Sequence, residues 1–194
     1  MDVGQRGSRV VTCGFDVRNP VTYHARPMSG SLHAWYSQRD LESLADREGV
    51  LSGELQLSKL TRLVGMLHSD AGSVRASLKF GQQRDGWLKV ELTYATAVEL
   101  TCQRCLEPFR HELAGRANVV LADAESAPAA VPEGYEPFEL ADGRLSPAEL
   151  IEDELIVSMP LAPKHERLAD CGSVARSLVA VTEGSGAAAG SAEQ

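Results

Sequence analysis

The sequence predicts an α+β domain: an antiparallel β-meander covered by two or three short helices and flanked by disordered termini. Three observations carry this. From Val74 to Leu121 apolar residues recur at every second position, the period of a strand with one dry face. Residues 38–48, 58–69 and 146–159 instead carry their apolar residues at helical spacing. The two ends of the chain hold neither period and are broken by Gly, Pro or Ser. The expected organisation is a leader over 1–27, one domain over 28–175 and a tail over 176–194. A chain of 194 residues that is 43% hydrophobic is long enough for one sizeable core and short for two.

Each element has its own local reason. Residues 1–27 contain Gly4, Gly7, Gly14, Pro20 and Pro27, so they are expected to be a disordered leader or sequence upstream of the natural start, with Met28 as the alternative initiator. Gln38 to Glu48 places Leu41, Leu44 and Ala45 on one side of a helix that Gly49 ends. Val50 to Leu57 is a short extended piece. Ser58 is the expected N-cap of a second helix whose Leu60, Leu63, Val64 and Leu67 share a face.

The first predicted strand alternates Val74, Ala76, Leu78 and Phe80 with Arg75, Ser77 and Lys79. The second runs through Leu88, Val90, Leu92, Tyr94, Val98 and Leu100, and the third through Phe109, Leu113, Ala117, Val119 and Leu121. Short links between consecutive strands make a meander. Residues 122–134 are a Pro-, Ala- and acid-rich loop expected to be mobile. Tyr135 to Leu140 can add a strand only at an edge, because Pro137 has no N–H to give. Ser146-Pro-Ala-Glu149 carries the marks of a helix start, with Ser146 as N-cap, Pro147 at the first position and Glu149 closing a capping box. Leu150, Ile151, Leu155 and Met159 form its buried face, and Pro160 stops it.

Charge excludes some function classes. The net charge of -8 argues against a general nucleic-acid coat, including DNA binding, since non-specific affinity for phosphate comes from Lys and Arg. Residues 112–154 hold eleven acids against two bases, whereas residues 28–111 balance ten with ten. No apolar run approaches the roughly 20 residues that cross a bilayer. No secretory pattern opens the chain, and four cysteines are too few for a disulfide scaffold. A cytoplasmic location is expected.

The chemistry centres on Leu100-Thr-Cys-Gln-Arg-Cys-Leu-Glu-Pro-Phe109, where one strand pattern ends and the next begins. Cys102 and Cys105 have the spacing that lets a tight turn bring two thiolates to one metal. A structural zinc needs four ligands, and downstream the sequence offers Cys171 and then only His165 or His111. No cofactor is required by this pattern, and zinc is the one its donors suit. Reduced structural cysteines are the first reading, a metal site the second and a redox pair the third. Cys13 is assigned no role.

Glu149, Glu152, Asp153 and Glu154 cluster on one predicted helix and are expected to form a solvated or partner-facing surface rather than an acid–base pair. Lys89, Arg104 and Arg110 are the candidate RNA- or partner-binding residues. They would extend through Arg75, Lys79 and Arg84 into a basic patch on the wet face of the sheet, although alternating charges there are also ordinary solvation. Trp35, Tyr36 and Trp87 are expected to pack in the core or loops. No phosphate-binding loop and no nucleophile elbow is present, so no catalytic residue is assigned.

The stretch Val98 to Phe109, the segment Pro132-Glu-Gly-Tyr-Glu-Pro-Phe-Glu139, the helix Leu150 to Ile156 and Pro160-Leu-Ala-Pro-Lys-His165 followed by Cys171 together resemble the YceD family, the large ribosomal RNA subunit accumulation proteins. The resemblance runs from about Leu32 to Cys171. It implies a cytoplasmic, non-enzymatic factor needed for 23S ribosomal RNA to be made, processed or retained. Its implied partners are 23S rRNA or a large-subunit precursor, with ribosomal proteins or assembly factors. Many relatives complete a zinc site with a second C-x2-C-G pair. This chain keeps only Cys171-Gly172 of it, so His165 would have to substitute. Two other functional classes compete: a thiol–disulfide redox protein using Cys102 and Cys105, and a zinc-stabilised adaptor.

Overall fold

The structure is a computed structural model that describes residues 31–82, 87–122, 131 and 133–172. The expected leader and tail, Cys13, Arg84 and most of the 122–134 loop lie outside the described residues.

Its centre is a five-stranded sheet formed by β2 (Val50–Gln56), β3 (Ser73–Gln82), β4 (Leu88–Thr101), β5 (Pro108–Ala122) and β6 (Glu136–Glu139), in that spatial order. The first four pair antiparallel as consecutive neighbours, and β6 adds parallel to β5 at the edge. The meander expected from sequence is therefore present and one strand longer, because the extended piece at Val50 pairs along its whole length with β3. The register places Val90 opposite Val119, Leu92 opposite Ala117 and Leu100 opposite Phe109. These are the residues that the period of two puts on the dry face.

Helices cover that face. Helix α1 (Gln38–Asp46) buries Leu41, Leu44 and Ala45. The Asp40 carboxylate accepts from the Ser37 N–H at 3.0 Å and its hydroxyl at 2.6 Å, and these bonds hold the Asp40 carboxyl below the usual range. Helix α3 (Pro147–Val157) buries Leu150, Ile151 and Leu155. Ser146 caps it by accepting from the Glu149 N–H at 3.3 Å, as the sequence predicts. A two-stranded ribbon of β1 (Tyr36–Ser37) and β7 (Arg144–Leu145) ties the start of α1 to the start of α3. Leu55, Leu63, Leu92, Leu100, Leu150 and Ile151 meet fully buried in one core. Each such side chain stabilises the fold by roughly 2 kcal/mol.

The second predicted helix is not formed as expected. Leu57–Lys59 is a 3-10 turn, followed by α2, a single turn over Thr61–Val64. Leu60 and Leu63 do face the core, but Ser58 does not cap the segment. The reason lies on α3. Glu152, expected on a solvated face, is buried, and its carboxylate accepts from the Arg62 and Leu63 N–H groups at 2.7 and 3.1 Å. The chain leaves the helical path after Val64 because the His68 N–H bonds the Glu99 carbonyl and Ser69 bridges to Glu99 on β4.

Candidate metal centre

Between β4 and β5 the chain turns through six residues. The Cys102 N–H donates to the Glu107 carbonyl at 3.0 Å, and the Leu106 N–H returns to the Cys102 carbonyl at 2.8 Å. To close this loop Leu106 adopts φ 63, a left-handed conformation that costs an L-residue about 1 kcal/mol. The turn also aims the Arg104 N–H at the Cys102 sulfur, 3.4 Å away.

The segment after α3 is drawn against this knuckle by two bonds. Gln103 N–H donates to the Pro163 carbonyl at 2.8 Å, and the Arg104 guanidinium donates to the His165 carbonyl at 2.8 Å. A 3-10 turn at Leu168–Asp170 then delivers Cys171, whose N–H bonds the Leu168 carbonyl. The result brings Cys102, Cys105, His165 and Cys171 together, with all four ligand atoms within 4.8 Å of one another. His165 Nδ1 lies 3.4 Å from the Cys105 sulfur and 3.6 Å from that of Cys171. Ideal tetrahedral zinc, with Zn–S near 2.3 Å and Zn–N near 2.0 Å, separates sulfur from nitrogen by about 3.5 Å. The group can hold a metal ion, and His165 stands where a fourth cysteine would otherwise be needed.

Electrostatics separates the two knuckle thiols. Burial pushes the Cys102 thiol up, but backbone N–H groups of His165, Cys105 and Arg104 donate to its sulfur and bring it down to about 5. Burial raises the Cys105 thiol, and the neighbouring Cys102 and Cys171 sulfurs raise it further. Cys102 and Cys171 are buried beside Phe109 and Leu168, away from the main core. The His165 ring lies tilted on Phe109 with ring centres 5.1 Å apart. His111, the other imidazole considered from sequence, packs edge-on to Phe109 and is outside the group.

The candidate binding residues are dispersed. Arg104 is half-buried; its Nη2 donates to the His165 carbonyl, and its buried Nε has no partner among the described residues. Lys89 lies on the outer face of β4, 3.9 Å from Glu91, and Arg110 lies on β5 opposite Glu99. With Lys79 also opposite Glu91, the outer face alternates in sign. Two features escaped sequence reasoning. Arg62 pairs with Glu152 at 3.1 Å and with Asp153 at 2.5 Å, and Trp35 stands half exposed instead of packing inside. A buried acid and a surface acid look alike in a one-dimensional charge run, so Glu152 left no signal.

Fold and site together define a small α+β domain whose central hairpin ends in a Cys3His knuckle. A family model described as large ribosomal RNA subunit accumulation protein YceD matches residues 90–189, and the chain belongs to that family. The large ribosomal RNA subunit accumulation protein YceD of Haemophilus influenzae is 32% identical over 117 residues, covering 57% of this chain and 62% of that protein. The chain thus spans under two thirds of that relative's length. No solved structure matches. Among the described residues no helix is long and apolar enough to cross a membrane.

Proposed function

We propose that this protein supports the accumulation of large-subunit ribosomal RNA in the cytoplasm by binding, without catalysis, and that a zinc ion clamps its knuckle. The observation that carries the reading is the convergence of three thiols and an imidazole at the tip of the hairpin that the family match spans. Soft thiolates and an imidazole at these separations suit zinc. The ion would lock residues 163–171 against the turn, giving that end of the sheet a fixed surface for 23S rRNA or a precursor particle. Arg110, opposite Glu99, is the candidate cation close to that surface, whereas Lys89 lies at the far end of the hairpin. The carboxylate most enclosed by protein, Glu152, is committed to the backbone of α2 and to Arg62, which supports a structural use of these acids over an acid–base one.

Two measurements test the proposal. Elemental analysis of the purified protein should find one zinc per chain, lost in Cys171→Ser. A thiol pair that cycles to a disulfide in metal-free protein would favour the redox reading instead. In cells, deletion should lower 23S relative to 16S RNA and accumulate large-subunit precursors. Normal 23S levels would sink the ribosomal assignment.

A further inference from the structure

We infer that the groove between α3, the 57–62 segment and the edge of β6 that pairs with no other described strand is a docking site for an extended, Arg- or Lys-rich peptide of a basic protein. The groove measures about 770 Å³, and Trp35, Arg62, Phe138, Glu139, Glu149 and Asp153 are among its walls. It lies at the end of β5 remote from the knuckle, beside the residues of β5 that pair with β6.

Three observations select the occupant. The first is charge. Four carboxylates line the groove against Lys59 and Arg62, and Arg62 is already paired with Glu152 and Asp153. Glu139 and Glu149 are exposed. Nearby, burial and then the like charges of Glu136 and Asp153 raise the Glu154 carboxyl, a sign that acids crowd this edge. Such a surface repels phosphate and attracts cationic side chains.

The second observation is Trp35, 51% exposed at the mouth of the groove. An indole face in water beside carboxylates suits a guanidinium or ammonium, an interaction worth about 0.5–1 kcal/mol at exposed sites. The third is the edge itself. The Leu140 N–H donates to the Ala122 carbonyl at 2.9 Å, so strand alternation turns the Phe138 N–H and C=O toward β5 as well and leaves the Glu139 N–H and C=O, with the Pro137 C=O, facing outward. A peptide added there as a strand would place every second side chain on the same side, about 6.6 Å apart.

This inference deepens the proposed function, on which it rests only for the source of the peptide. The test uses purified components, so it can fail while the ribosomal reading stands. Full-length Trp87→Phe protein leaves Trp35 as the one tryptophan and is titrated with a peptide of five Arg-Gly repeats in low salt. A saturable change in Trp35 emission is expected. The double variant Glu139→Gln with Glu149→Gln should bind on the order of tenfold more weakly, as should the parent in high salt. Trp35→Ala, followed by calorimetry in otherwise unsubstituted protein, should lose roughly two- to fivefold. Unchanged affinity in the double variant, or equal binding of a Glu-Gly peptide, would overturn the proposal. So would a uridine decamer that binds more tightly than the Arg-Gly peptide and shifts Trp35 emission, since the site would then belong to RNA.

Discussion

Two of the polar anchors that join sequence-distant segments of the molecule are of opposite kinds. At Glu152 one carboxylate on α3 accepts from the Arg62 and Leu63 N–H groups and from the Arg62 side chain. That anchor is complete as it stands. At the knuckle, the Gln103 and Arg104 hydrogen bonds bring residues 163–171 to the turn, and three sulfurs and an imidazole meet there, donors whose mutual attraction is weak without an ion between them. The first is built into the main core, next to Leu63 and Leu150, while the second sits in its own small cluster. The contrast sets an anchor that needs no ligand in the sheet and helices against one at the tip whose donor set has room for an ion.

The largest expected effect tests the self-sufficient anchor. Glu152→Ala strands two backbone donors at the buried start of α2 and releases Arg62, so it should cost about 3 kcal/mol. Denaturant unfolding checks this, and the loss should be the same with and without a chelator. A loss that vanished on metal removal would mean that the two anchors are coupled.

Chelation should act on the other region alone. In zinc-loaded protein it should speed hydrogen exchange at Arg104, Leu106 and Cys171 by on the order of a hundredfold or more, leaving amides of Leu92 and Val119 unchanged. Cys171→Ser should reproduce that pattern. Global unfolding on chelation would erase the distinction between the two regions.

Smaller changes sharpen it. Leu106→Gly removes the left-handed strain of the turn and frees the unfolded chain by a similar amount, so stability should move by under about 0.5 kcal/mol. Zinc affinity should be retained. Glu154→Gln should have the least effect. Burial, then Glu136 and Asp153, raise the Glu154 carboxyl in the folded state, so its contribution to stability is present below its unfolded pKa and is lost as pH rises through the folded one. The substitution should therefore stabilise at pH 7 by a few tenths of a kcal/mol at most, given its solvent screening, and be neutral near pH 4. Thermal unfolding at the two pH values reads the difference.

Much of the sheet was legible, because a period of two is a direct record of one dry face. Val90, Leu92, Tyr94, Val98 and Leu100 all proved buried, as did the α3 face at Leu150, Ile151 and Leu155. The helix cap at Ser146 was legible too, since capping is local chemistry. The parallel sense of β6 was not, because a period of two does not record strand direction, nor were the two-residue strands β1 and β7, because pairing across more than a hundred residues leaves no local period. At the site, Cys102 and Cys105 announced themselves by spacing. His165 was only one of two eligible imidazoles until the Pro163 and His165 carbonyls were seen bonded to the knuckle. Ser58 was mistaken for a cap because the residue that satisfies that turn lies some ninety positions away.

The β4–β5 hairpin has a further consequence. Its pairing runs unbroken from Leu88 opposite Leu121 to Thr101 opposite Pro108, which at about 3.3 Å per residue makes a rod of roughly 43 Å. The Cys3His tip caps one end, and the β6 edge is mounted at the other. The hairpin is thus a caliper: it sets the distance between the two surfaces, and a two-residue slip in its register would change that span by nearly 7 Å.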